Sequence, residues 1–306
     1  MEFIDELRNL KEQLSFKEKL EVPRGVKSIV IAGMGGSAVA GKIFKEFYSD
    51  KPVITSDDYN LPKFVSSSTL VVAMSYSGST EETISLARQA KSKKAHLVTI
   101  SSGGELLDYG DQRIKIPRSD LQPRSAPVYM LMPLLNGFKI ITPDETCRAY
   151  ELIDGLDKDS AECLAHAKAM LKNESIPVIY GASPFRTISY RWKTQFNENS
   201  KVLGYANDFP ELNHNDTLAL ANTYRKDNFY FFVFQSERER IIKRISVTSK
   251  ITNSKFNMIK PKGESDIEKM FYLLHYGDYV SFHLGMLRKV DPQEVSLLSR
   301  LKKDIL

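Results

Sequence analysis

Four short apolar runs, SIVIAG (28–33), PVITSD (52–57), TLVVAMS (69–75) and AHLVTIS (95–101), constrain the fold most. Between them lie AVAGKIFKEFYS (38–49) and TEETISLARQAKSK (80–93), which carry their apolar residues at helical spacing. Runs rich in β-branched residues describe strands buried on both faces, and helical connections between such strands imply a parallel sheet with helices on either side. DQRIKIP (111–117) reads as a short last strand. Ahead of the sheet, Phe3, Leu7, Leu10 and Leu14 mark an amphipathic helix that Pro23 and Gly25 bring to an end.

Residues 127–172 read as mostly helical, with a boundary near Pro143. Strands return in IPVIYGAS (176–183), NFYFFVFQS (228–236) and SKFNMIKP (254–261). The expected organisation is two doubly wound α/β domains, 1–145 and 146–306, which a chain of 306 residues can accommodate. PVIYGASPF parallels IVIAGMGGS, which points to an internal duplication. No apolar stretch approaches the roughly 20 residues of a membrane span. Acidic Glu2, Asp5 and Glu6 replace the basic start of a secretory leader, so a cytoplasmic protein with Cys147 and Cys163 as reduced thiols is expected. The net charge of +5 is scattered, without a basic cluster rich in aromatics. It suits an anionic small molecule, and no nucleic-acid or membrane partner is expected.

Two Gly- or Ser-rich turns follow strands and open helices. In GMGGSA (33–38), Ser37 and Ala38 follow Gly36 where a triphosphate loop needs Lys and then Ser or Thr, so that reading fails. A dinucleotide fingerprint survives, because Gly33, Gly35 and Ala38 fit its spacing and Asp57 or Asp58 ends the next strand. A tight turn needing positive φ is the plainer alternative. The second turn, SYSGST (75–80), offers Ser75, Ser77, Ser79 and Thr80 at a helix N-terminus. Hydroxyls beside backbone N–H groups match a terminal phosphate, whereas a bridging pyrophosphate needs bare backbone; a Ser/Thr-rich N-cap is the alternative.

GMGGSAVAG followed by SYSGSTEET resembles the sugar isomerase (SIS) fold, in which parallel sheets bind phosphosugars. With NENSK (197–201), NHND (213–216) and the C-terminal LKK, the chain resembles the archaeal bifunctional phosphoglucose/phosphomannose isomerases over nearly its whole length. The resemblance implies two SIS domains and an aldose–ketose isomerase acting on a phosphorylated hexose, without metal or other cofactor. Such a reaction needs a base that moves a proton between C2 and C1 across a cis-enediol. The resemblance gives this role to Glu198; on residue type alone a solvated loop Glu stays open. Ring opening needs a group that donates and accepts near neutrality. The resemblance assigns it to His214, aided by a C-terminal lysine, and has this histidine reach the active site of the neighbouring subunit, which implies a homodimer. His96, His166, His275 and His283 have the surroundings of ordinary core or surface histidines.

Adjacent Lys302 and Lys303 face about 100° apart on a helix, so both cannot enter one site; Lys302 is taken as the functional one. A fixed cation for the enediolate is expected of Arg124 in QPRSAP, where the family keeps an arginine, although by chemistry alone Arg186 and Arg191 compete. The expected contacts are Gly36 and Ser37 to the sugar and Ser75, Ser77 and Thr80 to the phosphate. The resemblance implies that a small hydroxyl residue shortly before the lysine accompanies acceptance of mannose 6-phosphate; that position is Val295 if Lys302 is functional and Ser296 if Lys303 is. An NAD-dependent oxidoreductase using GMGGSA and a non-catalytic phosphosugar sensor are the alternatives.

Overall fold

The computed structural model describes residues 2–118 and 120–305, apart from the side chains of Ser299, Lys302 and Ile305. Two all-parallel sheets carry the chain. The first contains β1 (Ser28–Gly33), β2 (Val53–Ser56), β3 (Thr69–Met74), β4 (His96–Ser101) and β5 (Gln112–Lys115), in the order β2-β1-β3-β4-β5. The second contains β6 (Ile176–Ala182), β7 (Tyr205–Phe209), β8 (Phe229–Phe234) and β9 (Phe256–Ile259), in the order β7-β6-β8-β9. In the first sheet Ser28 pairs with Thr69 and Gly33 with Met74, so the glycine turn and the SYSGST turn leave neighbouring strand ends.

Alternation along each strand divides the apolar residues between two layers. Val30, Ala32, Val71 and Ala73 pack beneath Leu86, Ala87 and Ala90 of the helix Glu81–Ser92. Ile29, Ile31, Leu70 and Val72 face the opposite way, into a core that also takes Ile179, Phe232 and Phe234 of the second sheet. The inner faces of both sheets therefore share one core. At its centre runs the helix Asp266–Leu287, which is buried on nearly every side, as its almost unbroken apolar sequence requires. Trp192 stacks on Tyr276 of this helix, with ring centroids 5.7 Å apart and planes 7° from parallel, and its Nε1 donates to the Leu273 carbonyl at 2.8 Å.

The parallel-sheet expectation holds in both halves, and several details differ. The N-terminal helix is two short pieces, Phe3–Arg8 and Leu10–Leu14, meeting at Asn9. The helix after β1 begins at Gly35, inside the glycine turn. Strand β7, YANDF, went unrecognised because it is an edge strand with only Phe209 buried, and so carries no apolar run. The helix Pro143–Lys158 opens with a Thr142/Glu145 capping box. Cys147 is exposed and Cys163 buried, both free. Among the described residues no helix is long and apolar enough to cross a membrane.

Candidate active site

The glycine turn shapes the site through what presses against it. Met34 is the N-cap of the helix Gly35–Phe47 and provides no side-chain cap, which leaves the positive end of the helix open to an anion. A Cβ on Gly36 would lie 2.7 Å from the Pro123 carbonyl oxygen and 3.2 Å from the Arg124 Cα. Only glycine lets the 3₁₀ turn Pro123–Ser125 come this close, so the GMGGS turn and Arg124 are held as one unit.

On the adjacent strand end the SYSGST hydroxyls form a cluster. Ser75 Oγ lies 2.7 Å from Thr80 Oγ1 and 3.5 Å from Ser77 Oγ, and it accepts from the Gly78 N–H at 3.1 Å. Gly78 has φ +70°, and a Cβ there would collide with the Gly103 carbonyl at 1.7 Å, so this loop too is built around a glycine. Ser75 is buried and Ser77 exposed, and the helix Glu81–Ser92 starts at Thr80 without a side-chain cap. Hydroxyls and an open helix N-terminus thus lie together.

Arg124 is a firmly fixed cation of this region, with 5% of its surface exposed. Its Nε donates to Asn199 Oδ1 at 3.1 Å, its Nη2 to the Pro292 carbonyl at 2.6 Å and its Nη1 to Gln122 Oε1 at 3.3 Å. Nη1 also lies 3.6 Å from Glu198 Oε2, whose side chain remains 37% exposed. Burial draws the Arg124 pKa below the ordinary arginine value, opposed most strongly by the charge of Glu198. Glu198 and Asn199 both end the helix Arg186–Asn199. That helix is moored in turn: Arg191 Nη2 donates to both carboxylate oxygens of Asp278, at 3.0 and 2.9 Å, while its Nη1 donates to the Arg124 carbonyl at 3.2 Å. Gln195 Nε2 joins Asp278 at 2.8 Å.

Glu198, Arg124 and Gly36 meet in a cleft of about 250 Å³ between the helices Gly35–Phe47 and Arg186–Asn199, with Lys42 and Asp57 at its other end. A carboxylate reaching solvent beside a buried, permanently charged guanidinium can exchange a proton with a carbon acid while an oxyanion is stabilised next to it. Ser37, Ser75, Ser77 and Thr80 do not line this cleft; Ser37 is buried in the helix. His214 is exposed on the 3₁₀ turn Glu211–His214 beyond β7 and does not line it either. Lys302 belongs to the helix Ser296–Ile305, and its side chain lies outside the described residues. Three of the other histidines have structural partners: His166 with Tyr230 Oη at 2.8 Å, His275 with Asp157 Oδ1 at 2.8 Å and His283 with Ser160 Oγ at 2.9 Å.

Sequence reasoning did not assign Asp278, Gln195 or Lys201 to the site. Asp278 lies in an apolar helix, where only an unexplained charge marked it. Lys201 belongs to NENSK, and its Nζ donates to the carbonyls of Glu198 at 2.6 Å and Glu294 at 2.9 Å, tying the end of the helix Arg186–Asn199 to the C-terminal segment.

The comparisons with known proteins bear on family and fold. Residues 24–120 match the model of the SIS domain, and residues 159–305 match that of the bacterial phospho-glucose isomerase C-terminal SIS domain. A bifunctional phosphoglucose/phosphomannose isomerase of Thermoplasma volcanium is 54% identical over 308 residues, covering 100% of both chains. One from Thermoplasma acidophilum is 50% identical, covering 100% of this chain and 98% of its own. Among solved structures, the C-terminal domain of a glucosamine-fructose-6-phosphate aminotransferase from Francisella tularensis superposes with a TM-score of 0.73 at 15% identity, over 96% of this chain and 97% of its own, a likeness of fold alone. With two SIS domains and full-length identity above one half, the chain belongs to the bifunctional phosphoglucose/phosphomannose isomerase family.

Proposed function

We propose that the protein interconverts glucose 6-phosphate, and also mannose 6-phosphate, with fructose 6-phosphate by proton transfer through a cis-enediol, without a metal. The observation that carries this reading is the Glu198 carboxylate placed 3.6 Å from the buried Arg124 guanidinium, in a chain whose full-length relatives are named as such isomerases. Glu198 takes the proton from C2 of the open-chain aldose and returns it to C1. Arg124, always charged and held at three donors, stabilises the enediolate oxygen. Ser75, Ser77 and Thr80 hold the phosphate, with Gly36 approaching the sugar.

His214 and Lys302 open the ring. His214 stands outside its own chain's cleft, which supports a homodimer in which it completes the neighbour's site. The helix Ser296–Ile305 leaves Leu297 78%, Leu298 49% and Leu301 55% exposed, an apolar face that suits burial in such an assembly. We place the division between the two SIS halves near residue 145 and the enzyme in the cytoplasm, in central hexose phosphate metabolism.

The test is a coupled assay with chelator present, on each hexose phosphate separately. Conversion of glucose 6-phosphate by wild type, and its loss by at least about 10³-fold in Glu198→Gln, is expected for a removed general base. No conversion of either substrate refutes the function, and dependence on added zinc refutes the mechanism.

A further inference from the structure

The second sheet repeats the first in its order, with β7-β6-β8-β9 matching β2-β1-β3-β4, all parallel. The crevice at the carboxyl ends of β6 and β8 therefore corresponds to the one at β1 and β3, where the glycine and SYSGST turns lie. Ligands of doubly wound sheets bind at such places. This second crevice is open: a cavity of about 350 Å³ is bounded by the Ser183–Phe185 turn after β6, the Gln235–Arg238 segment after β8, and Lys260 after β9. Its floor is Lys269, in the first turns of the central helix.

Lys269 is a buried cation with too few partners. It is 8% exposed, yet its three donors make one hydrogen bond among the described residues, to Glu237 Oε1 at 2.6 Å. Because it lines this open cavity, its two remaining donors can take further acceptors there. Glu237 is itself 81% exposed in its side chain and sits on the loop between β8 and the helix Glu239–Thr252, so it can swing away into water. Exposed Arg238 and Lys260 stand at the rim, and with Lys269 they outnumber the lining carboxylates, Glu237 and exposed Asp266. Ser183 and Ser236 add hydroxyls.

We propose that this cavity is a second anion site, which binds a phosphate monoester whose dianionic oxygens displace the Glu237 carboxylate from Lys269. The single carboxylate occupies the place of the ligand in the free protein, and the exchange gives Lys269 the additional acceptors it lacks. The site is separate from the Glu198 cleft and does not depend on the isomerase assignment.

Calorimetric titration with inorganic phosphate tests it, in chains carrying Ser77→Ala and Thr80→Ala so that the weakened SYSGST step is resolved from the second one. Glu237→Gln removes the competing charge and is expected to tighten phosphate binding about tenfold, while Lys269→Met abolishes that binding step. A purely structural Glu237–Lys269 pair would lose stability and gain no affinity. Equal phosphate affinity in wild type, Glu237→Gln and Lys269→Met overturns the proposal. Should Lys269→Met fail to fold, Glu237→Gln, altered only at an exposed side chain, decides alone: tightening upholds the site and unchanged affinity overturns it.

Discussion

Arg191→Lys isolates the role of the buried network beneath Glu198. Arg191 uses its fork to hold Asp278 with one nitrogen and the Arg124 carbonyl with the other. Lysine keeps the charge opposite Asp278 and loses the fork. The buried carboxylate stays compensated, so the loss is about one charge-assisted hydrogen bond, roughly 2 kcal/mol, or a fall in Tm of about 5 °C. Arg191→Met, by contrast, leaves Asp278 buried without its cation and is expected to cost about 3–5 kcal/mol. The functional effect of Arg191→Lys should exceed its effect on stability. The tether on the Arg124 backbone is gone, and displacement of a catalytic cation by about 1 Å lowers kcat up to about 100-fold. KM, set by the SYSGST hydroxyls on another strand end, should change by less than about threefold. A coupled assay following glucose 6-phosphate formation from fructose 6-phosphate, read beside thermal unfolding, separates the two. An Arg191→Lys protein that folds and keeps wild-type kcat refutes the positioning of Arg124 by this network, as does a rise in KM that matches the loss in kcat.

Removing one phosphate hydroxyl, as in Thr80→Ala, should raise KM about tenfold with a smaller change in kcat, since a hydrogen bond to a charged ligand contributes about 1.5 kcal/mol in both ground and transition states; unchanged KM would move the phosphate elsewhere. If His214 completes the neighbour's cleft, inactive Glu198→Gln and His214→Ala dimers should recover up to about one quarter of wild-type activity after subunit exchange, because each mixed dimer holds one intact site. No recovery in exchanged dimers would place His214 in its own chain's site or outside catalysis. Burial alone would raise the Asp157 pKa, but hydrogen bonds from His275, Tyr279 and Lys11 hold it below the ordinary aspartate value. A depressed carboxyl pKa contributes stability above about pH 4 that is lost as pH falls through the folded value. Thermal unfolding from pH 6 to 2.5 should therefore show a shallower acid decline in Asp157→Asn than in wild type, and identical slopes would exclude this contribution.

The parts of the fold that could be read in the sequence were those with a strong local signal. β1 and β3 are buried throughout and announce themselves as unbroken apolar runs. β7 does not, since this edge strand is only partly buried and carries the polar Asn207 and Asp208. The glycine turn and the SYSGST turn were legible as turns between a strand and a helix because glycine and hydroxyl residues at strand ends have specific physical uses. What Gly36 is for was not legible, because the Pro123 carbonyl that demands it lies far along the chain. The same holds for Asp278, whose meaning depends on Arg191 arriving from another helix. The family resemblance had His214 act in the neighbouring subunit, and within one chain His214 does not line the cleft that Glu198 lines.

The shared core has a mechanical consequence. Because the inner faces of both sheets close on the helix Asp266–Leu287, the two halves lack the thin waist about which domains of many binding proteins swing. The cleft between the helices Gly35–Phe47 and Arg186–Asn199 cannot gape by hinge bending without tearing that core. The Pro292–Glu294 stretch adds to this stiffness, since its carbonyls clip it to Arg124 and Lys201. The enzyme then resembles a fixed vice more than a pair of jaws.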